Sequence, residues 1–236
     1  MSVFAPVSIL ILAMLIMAFL QLTPGVFLLF SHYSYGKFSR KNASNASLFF
    51  ILGAETSTAL VFILIYSLLS SLYIAPVNFT DNLLVWIIAG TMIAIGVIFP
   101  FCYFKKGRGT KLFISRRLAK DFDQKTRITK TRSDAFVLGF VASLPELIFT
   151  IPVYIVAATQ IMKISDYSAI RAMLSLCFIL IKIAPLIAIH LTMDSGRNLA
   201  ILQKTRVKNK QFVRAFISAI YLLIGILMII FGVFLP

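Results

Sequence analysis

Six long apolar runs set the limits on what this chain can become. They are Val7 to Phe30, Leu48 to Ile74, Leu83 to Phe104, Ala135 to Thr159, Ala169 to Leu191 and Val213 to Leu235. An apolar run of 18 or more residues reads as a membrane-spanning helix, because about 20 residues rising 1.5 Å each match the hydrocarbon thickness. A transmembrane barrel needs short segments that alternate apolar and polar residues, whereas these runs are apolar on every face. Composition agrees: 60% of the 236 residues are hydrophobic and 13% are charged, against roughly a quarter charged in a soluble domain. The expectation is an all-α integral membrane protein with six transmembrane helices, forming a single transmembrane domain over residues 1–236. The first run has no positive n-region and no small-residue cleavage site, so it is read as a span and not as a secretory leader. Cys102 and Cys177 lie in apolar runs without Cys-x-x-Cys spacing, which indicates neither a disulfide framework nor a zinc site.

Charge supplies an orientation. The connection 31–47 holds Lys37, Arg40 and Lys41, the connection 105–134 holds eleven Lys or Arg, and the stretch from Thr192 into the last span holds six more. Together these are 20 of the 23 basic residues, while the two other connections contribute only Lys163. Alternate connections are therefore basic, which places them in the cytoplasm and both termini outside the cell membrane. The net charge of +15 is accounted for by this bias. A nucleic-acid surface is not expected, because the basic loops lack interleaved aromatic residues for base stacking. Leu112, Ile114, Leu118 and Phe122 alternate with Lys111, Arg116, Arg117 and Lys120, a spacing that suits either a short amphipathic helix on anionic lipid headgroups or a solvated linker. Of the sequons at Asn42, Asn45 and Asn78, the first two fall on the cytoplasmic side and carry no meaning there.

Cutting the chain in the long basic loop leaves three spans in residues 1–104 and three in 135–236, with 105–134 between them. Three is odd, so the halves have opposite topology, a 3+3 inverted repeat of the kind many secondary transporters use. The segments Leu22-Thr23-Pro24-Gly25-Val26-Phe27-Leu28 and Ser143-Leu144-Pro145-Glu146-Leu147-Ile148-Phe149 echo each other. Proline removes a backbone donor and clashes with the preceding turn, so helices 1 and 4 are expected to be interrupted at Pro24, Gly25 and Pro145.

Gln21-Leu22-Thr23-Pro24-Gly25, the Tyr35-Gly36-Lys37 turn and Phe50-Ile51-Leu52-Gly53-Ala54-Glu55 resemble the opening of the lysine exporter (LysE) superfamily. Phe136-Val137-Leu138-Gly139-Phe140 through Pro145 is similar to that family's fourth helix, and Leu222-Leu223-Ile224-Gly225 to its closing one. The resemblance covers the layout of the whole chain and implies a six-helix exporter of amino acids or related solutes. Val26, Leu144 and Glu146 depart from the family's second proline, asparagine and lysine. The related DsbD and CcdA thiol-electron transporters place cysteines beside the corresponding prolines, where this chain has Gly25 and Glu146.

Ionisable groups at membrane depth cost on the order of 2.5 to 3.5 kcal/mol on insertion scales, and they face a cavity or a partner. Glu146, Lys182 and Glu55 are the three such groups here. Arg171 and His190 lie near span ends, where they can snorkel to the interface. Glu55 and Glu146 are the candidate substrate or proton ligands, since a desolvated carboxylate can exchange a proton as substrate binds. Lys182 is either the counter-ion that substrate releases or a structural partner of one glutamate. Gln21, Thr23, Ser143 and Thr150 are candidate uncharged ligands, although hydroxyls in membrane helices also bond their own backbone.

An intramembrane hydrolase would need a nucleophile with a base, and His32 and His190 both fall near the membrane surface, so no enzyme is expected. The alternative reading is a non-transporting scaffold or assembly factor binding lipid or a partner protein through its basic loops. The reading adopted is a proton-coupled secondary transporter exporting a small polar, zwitterionic or cationic solute. It needs no cofactor, and Ala219, Gly225 and Gly232 would permit a homo-oligomer through the last helix. Two carboxylates would suit a metal cation as cargo, and the resemblance favours an amino acid. The sequence names no metal site.

Overall fold

The computed structural model describes residues 4–20, 26–28, 30–31, 34, 40–74, 81–102, 116–129, 131–191 and 209–231. Its elements are α1 (Phe4–Phe19), α2 (Arg40–Ile74), α3 (Asp81–Cys102), α4 (Arg116–Ile128), α5 (Arg132–Ser143), a 3-10 turn (Leu144–Glu146), α6 (Leu147–Ile164), α7 (Ser168–Leu191) and α8 (Lys210–Ile229). Among the described residues the fold is helical throughout. Four stretches of the described residues are long and apolar enough to cross a membrane, Asn42–Ser71, Arg132–Ile164, Ser168–Leu191 and Gln211–Ile229, and the apolar helices Phe4–Phe19 and Val85–Pro100 are shorter.

Two boundaries differ most from the apolar runs. The second helix begins at Arg40, eight residues before Leu48, and reaches 35 residues, about 52 Å at 1.5 Å per residue. Hydropathy marks only the part of a helix that suits hydrocarbon, whereas Ala43 and Ser47 are fully buried against protein and so extend it. The first run divides: α1 ends with the Leu20 N–H bonded to the Ile16 carbonyl at 2.9 Å, and helical geometry returns at 26–28, 30–31 and 34. Gln21, Thr23, Pro24 and Gly25 lie outside the described residues.

The fourth run behaves as its proline requires. Thr131 and Asp134 close a reciprocal cap, with the Asp134 N–H donating to Thr131 Oγ1 at 3.1 Å and the Thr131 N–H to Asp134 Oδ2 at 3.0 Å, which starts α5 cleanly. Pro145 has no N–H to continue the ladder. The chain tightens into the 3-10 turn, where the Leu144 N–H bonds the Val141 carbonyl, and α6 then resumes. Arg171 finishes α6 by donating to the Met162 and Ser165 carbonyls and pairing with Asp166 at 3.0 Å. It caps a helix end as cationic side chains do.

Contacts fix the directions of the helices. Arg132 lies over the Phe49 ring, Gly53 packs on Phe136 and Gly139 on Phe50, and Phe62 packs on Tyr154 with centroids 5.9 Å apart. Residue numbers rise together, so α2 and the α5–α6 unit run parallel. Thr58 meets Lys182 and Phe62 meets Phe178, so α7 runs the opposite way. At the α3–α8 contact Gly96 packs on Leu222 and Gly225 on Ile93, the register of antiparallel helices. Ser218 Oγ donates to the Gly96 carbonyl across that contact.

The buried side chains form two clusters. One gathers α1, α3, α6 and α8 around Ile16, Met92, Val153, Tyr154 and Tyr221. The other joins Phe27 and Phe30 to Phe50 of α2, Phe122 of α4, Leu138 of α5 and Ile183 of α7. Phe122 therefore anchors the charged helix α4 to the bundle.

Candidate functional site

Glu55, Glu146 and Lys182 line one pocket where the two apolar clusters adjoin. The 3-10 turn carries Glu146 into the interior, where it is fully buried. Lys182, on α7, brings its ammonium within 3.4 Å of Glu146 Oε2. Lys182 Nζ also donates to Thr58 Oγ1 at 2.7 Å and to the Tyr154 hydroxyl at 3.4 Å. Its three donors thus face three oxygens, from α2, the helix break and α6. Thr58 Oγ1 in turn donates to the Ala54 carbonyl at 3.0 Å, which fixes its rotamer.

Glu55 is half-buried one turn before Thr58, on the wall of a small pocket shared with Leu20, Ala54, Glu146 and Lys182. The space left there accepts about one water molecule. Leu20 of the first cluster and Ile183 and Leu186 of the second line the same pocket.

Of the residues expected at the site, Glu55, Glu146, Lys182 and Pro145 come together. Ser143 does not join them, because its hydroxyl donates to the Phe140 carbonyl at 2.8 Å. Thr150 is fully buried one turn beyond Glu146. Tyr154 and Thr58 are not among the residues expected from the sequence. Tyr154 carried a signal nonetheless: it is the one hydroxyl-bearing aromatic in the fourth run and stands eight residues from Glu146, on the same face of a helix.

Chemically the arrangement is an ion pair inside an apolar bundle, with a second carboxylate close by. Breaking a buried pair exposes a charge to low dielectric, so the ammonium leaves Glu146 only when another donor or a proton replaces it. Among the described residues no group of three His, Cys, Asp or Glu side chains converges to hold a metal.

Four long apolar helices and this buried pair define a membrane-embedded helical protein with a charged centre in its interior. No family model, no curated protein and no solved structure matches the chain.

Proposed function

We propose that the chain is a six-span secondary transporter of the cell membrane that moves a small polar, zwitterionic or cationic solute in exchange for protons, through a site made of Glu55, Glu146 and Lys182. The observation that carries this reading is the Lys182 ammonium held by Glu146, Thr58 and Tyr154 at a helix break. A scaffold has no need to place a charged pair at an interrupted helix, whereas a carrier needs a ligand set that can trade one positive group for another.

Two further features support it. With both carboxylates ionised the site carries one negative charge more than Lys182 balances, and a single proton or solute cation removes the excess. Low dielectric makes that exchange steep. The helix directions also suit an inverted repeat, since α3 and α8 would be its third helices and they exchange equivalent contacts: Gly96 on Leu222 and Gly225 on Ile93. In this reading α1 with the stretch after it and α5–α6 are the broken first helices of each half. Export as the direction rests on the resemblance to the lysine exporters alone.

The test is proton flux in proteoliposomes loaded with a pH-sensitive dye and challenged with separate amino-acid and metal-chloride panels. Solute-dependent flux in the wild type that Glu146→Gln abolishes is the expected result, and the active panel names the solute class. Folded protein that gives no flux with either panel refutes the carrier.

A further inference from the structure

Many serines and threonines inside these helices bond their own backbone. Thr56, Thr58, Ser71 and Thr91 donate to the carbonyl four residues back, and Ser143 and Thr159 to the one three back. That habit satisfies a hydroxyl in hydrocarbon without outside help. Thr150 breaks it. It is fully buried, and its Oγ1 has no hydrogen-bond partner. A buried hydroxyl left unmade is costly, and its survival in a well-packed helix calls for a partner that comes and goes.

Its position says which partner. Glu146 and Tyr154 both reach the Lys182 ammonium, each at 3.4 Å, although eight residues separate them, about 12 Å of helix rise. Their side chains converge, and Thr150 stands midway between them on the same stripe, four residues from each. The small pocket on the Glu55 side of Lys182 is lined by Thr58 and Glu146 but by neither Thr150 nor Tyr154. The ammonium is thus bordered by the pocket and by the Tyr154 hydroxyl, which lies outside the pocket lining, and Thr150 is one turn before Tyr154 on α6.

We propose that Thr150 and Tyr154 form a second solute-binding station beside the Lys182 ammonium, where the Thr150 hydroxyl bonds a polar group of the transported solute. This inference rests on the carrier reading. Solute enters beside Glu55, displaces the ammonium from Glu146 and then finds the hydroxyl that the empty protein leaves unpaired. Val in place of Thr150 keeps the shape and removes the bond. Ser keeps the bond.

The experiment is thermal unfolding in nanodiscs over a concentration series of each member of the two panels, the twenty amino acids and the chlorides of lithium, sodium, potassium, magnesium and manganese. Thr150→Val should need at least about tenfold more solute than wild type for the same stabilisation, the order expected for one lost hydrogen bond. Thr150→Ser and Thr91→Val, whose hydroxyl is already bonded to the Ile87 carbonyl, should match wild type within about twofold. Without solute, Thr150→Val should melt no lower than wild type, because it deletes an unpaired polar group. A Thr150→Val protein that responds to solute as wild type does overturns the station and leaves the carrier standing. A lower melting point without solute also overturns it, by showing the hydroxyl already satisfied. A wild type that no solute stabilises removes the carrier and the station together. Should Thr150→Val fail to fold, Thr150→Ala is read by its solute response in the same way.

Discussion

Alanine at either glycine of the α2–α5 crossing tests how the bundle is locked. A Cβ on Gly139 would stand 2.0 Å from the Phe50 carbonyl oxygen, and one on Gly53 2.0 Å from the Phe136 oxygen. Carbon beside a carbonyl oxygen settles at roughly 3.3 Å, so either alanine forces the backbones apart by about 1.3 Å. The obstacle is backbone in both cases, and no rotamer change relieves it. Overpacking of this kind costs about 3 kcal/mol, and alanine returns about 1 kcal/mol of helix propensity. Each single variant is then expected to lose about 2 kcal/mol. The double variant parts the helices once and gains the propensity twice, so it should lose only about 1 kcal/mol, against about 4 for independent sites. Reversible unfolding in mixed micelles reads all three. A double variant as unstable as the sum of the singles refutes the shared crossing, and neutral singles refute the backbone contact itself.

Lys182→Met strands the Glu146 carboxylate and should destabilise by about 3 to 5 kcal/mol, most of it recovered in Lys182→Met with Glu146→Gln, as the same unfolding assay would show. Ser218→Ala removes the bond to the Gly96 carbonyl and should cost about 1 kcal/mol, whereas Ser71→Ala, which loses only a bond to its own helix, should lie within about 0.5 kcal/mol of wild type. Phe122→Ala empties a site in the cluster around Phe27, Phe30 and Phe50, worth about 3 kcal/mol. It should release α4 and speed tryptic cleavage at Lys125 and Arg127, which rate measurements on the folded protein would detect.

The helical, apolar character of the chain was legible in the sequence because hydropathy reports the solvent around a helix, and four of the six expected runs reach spanning length among the described residues. The long lead-in of α2 was not, because Ala43 and Ser47 are buried by protein and carry no apolar signature of their own. The break at Pro145 followed from a missing N–H, a local cause that needs no tertiary knowledge. That Glu146 would meet Lys182 and not Glu55 required knowing which helices are neighbours, and one sequence offers no neighbour information. The repeated pattern Phe50-Ile51-Leu52-Gly53 and Phe136-Val137-Leu138-Gly139 was visible as two separate motifs. Their meaning as the two sides of one crossing emerges only when Gly53 is found on Phe136 and Gly139 on Phe50.

Lys182 rides on the one of the four long spans that the rest of the described protein buries least. In the α7 span 17% of residues are buried, against 39% to 44% in the other three long spans. Hydrocarbon chains flow around a tilting helix, while packed side chains resist it. The glycine crossings make α2 with α5 and α3 with α8 the stiff frame, and α7 is the compliant member beside it. Stress from the bilayer, through its thickness or lateral pressure, is thus taken up first by the helix that bears the ammonium.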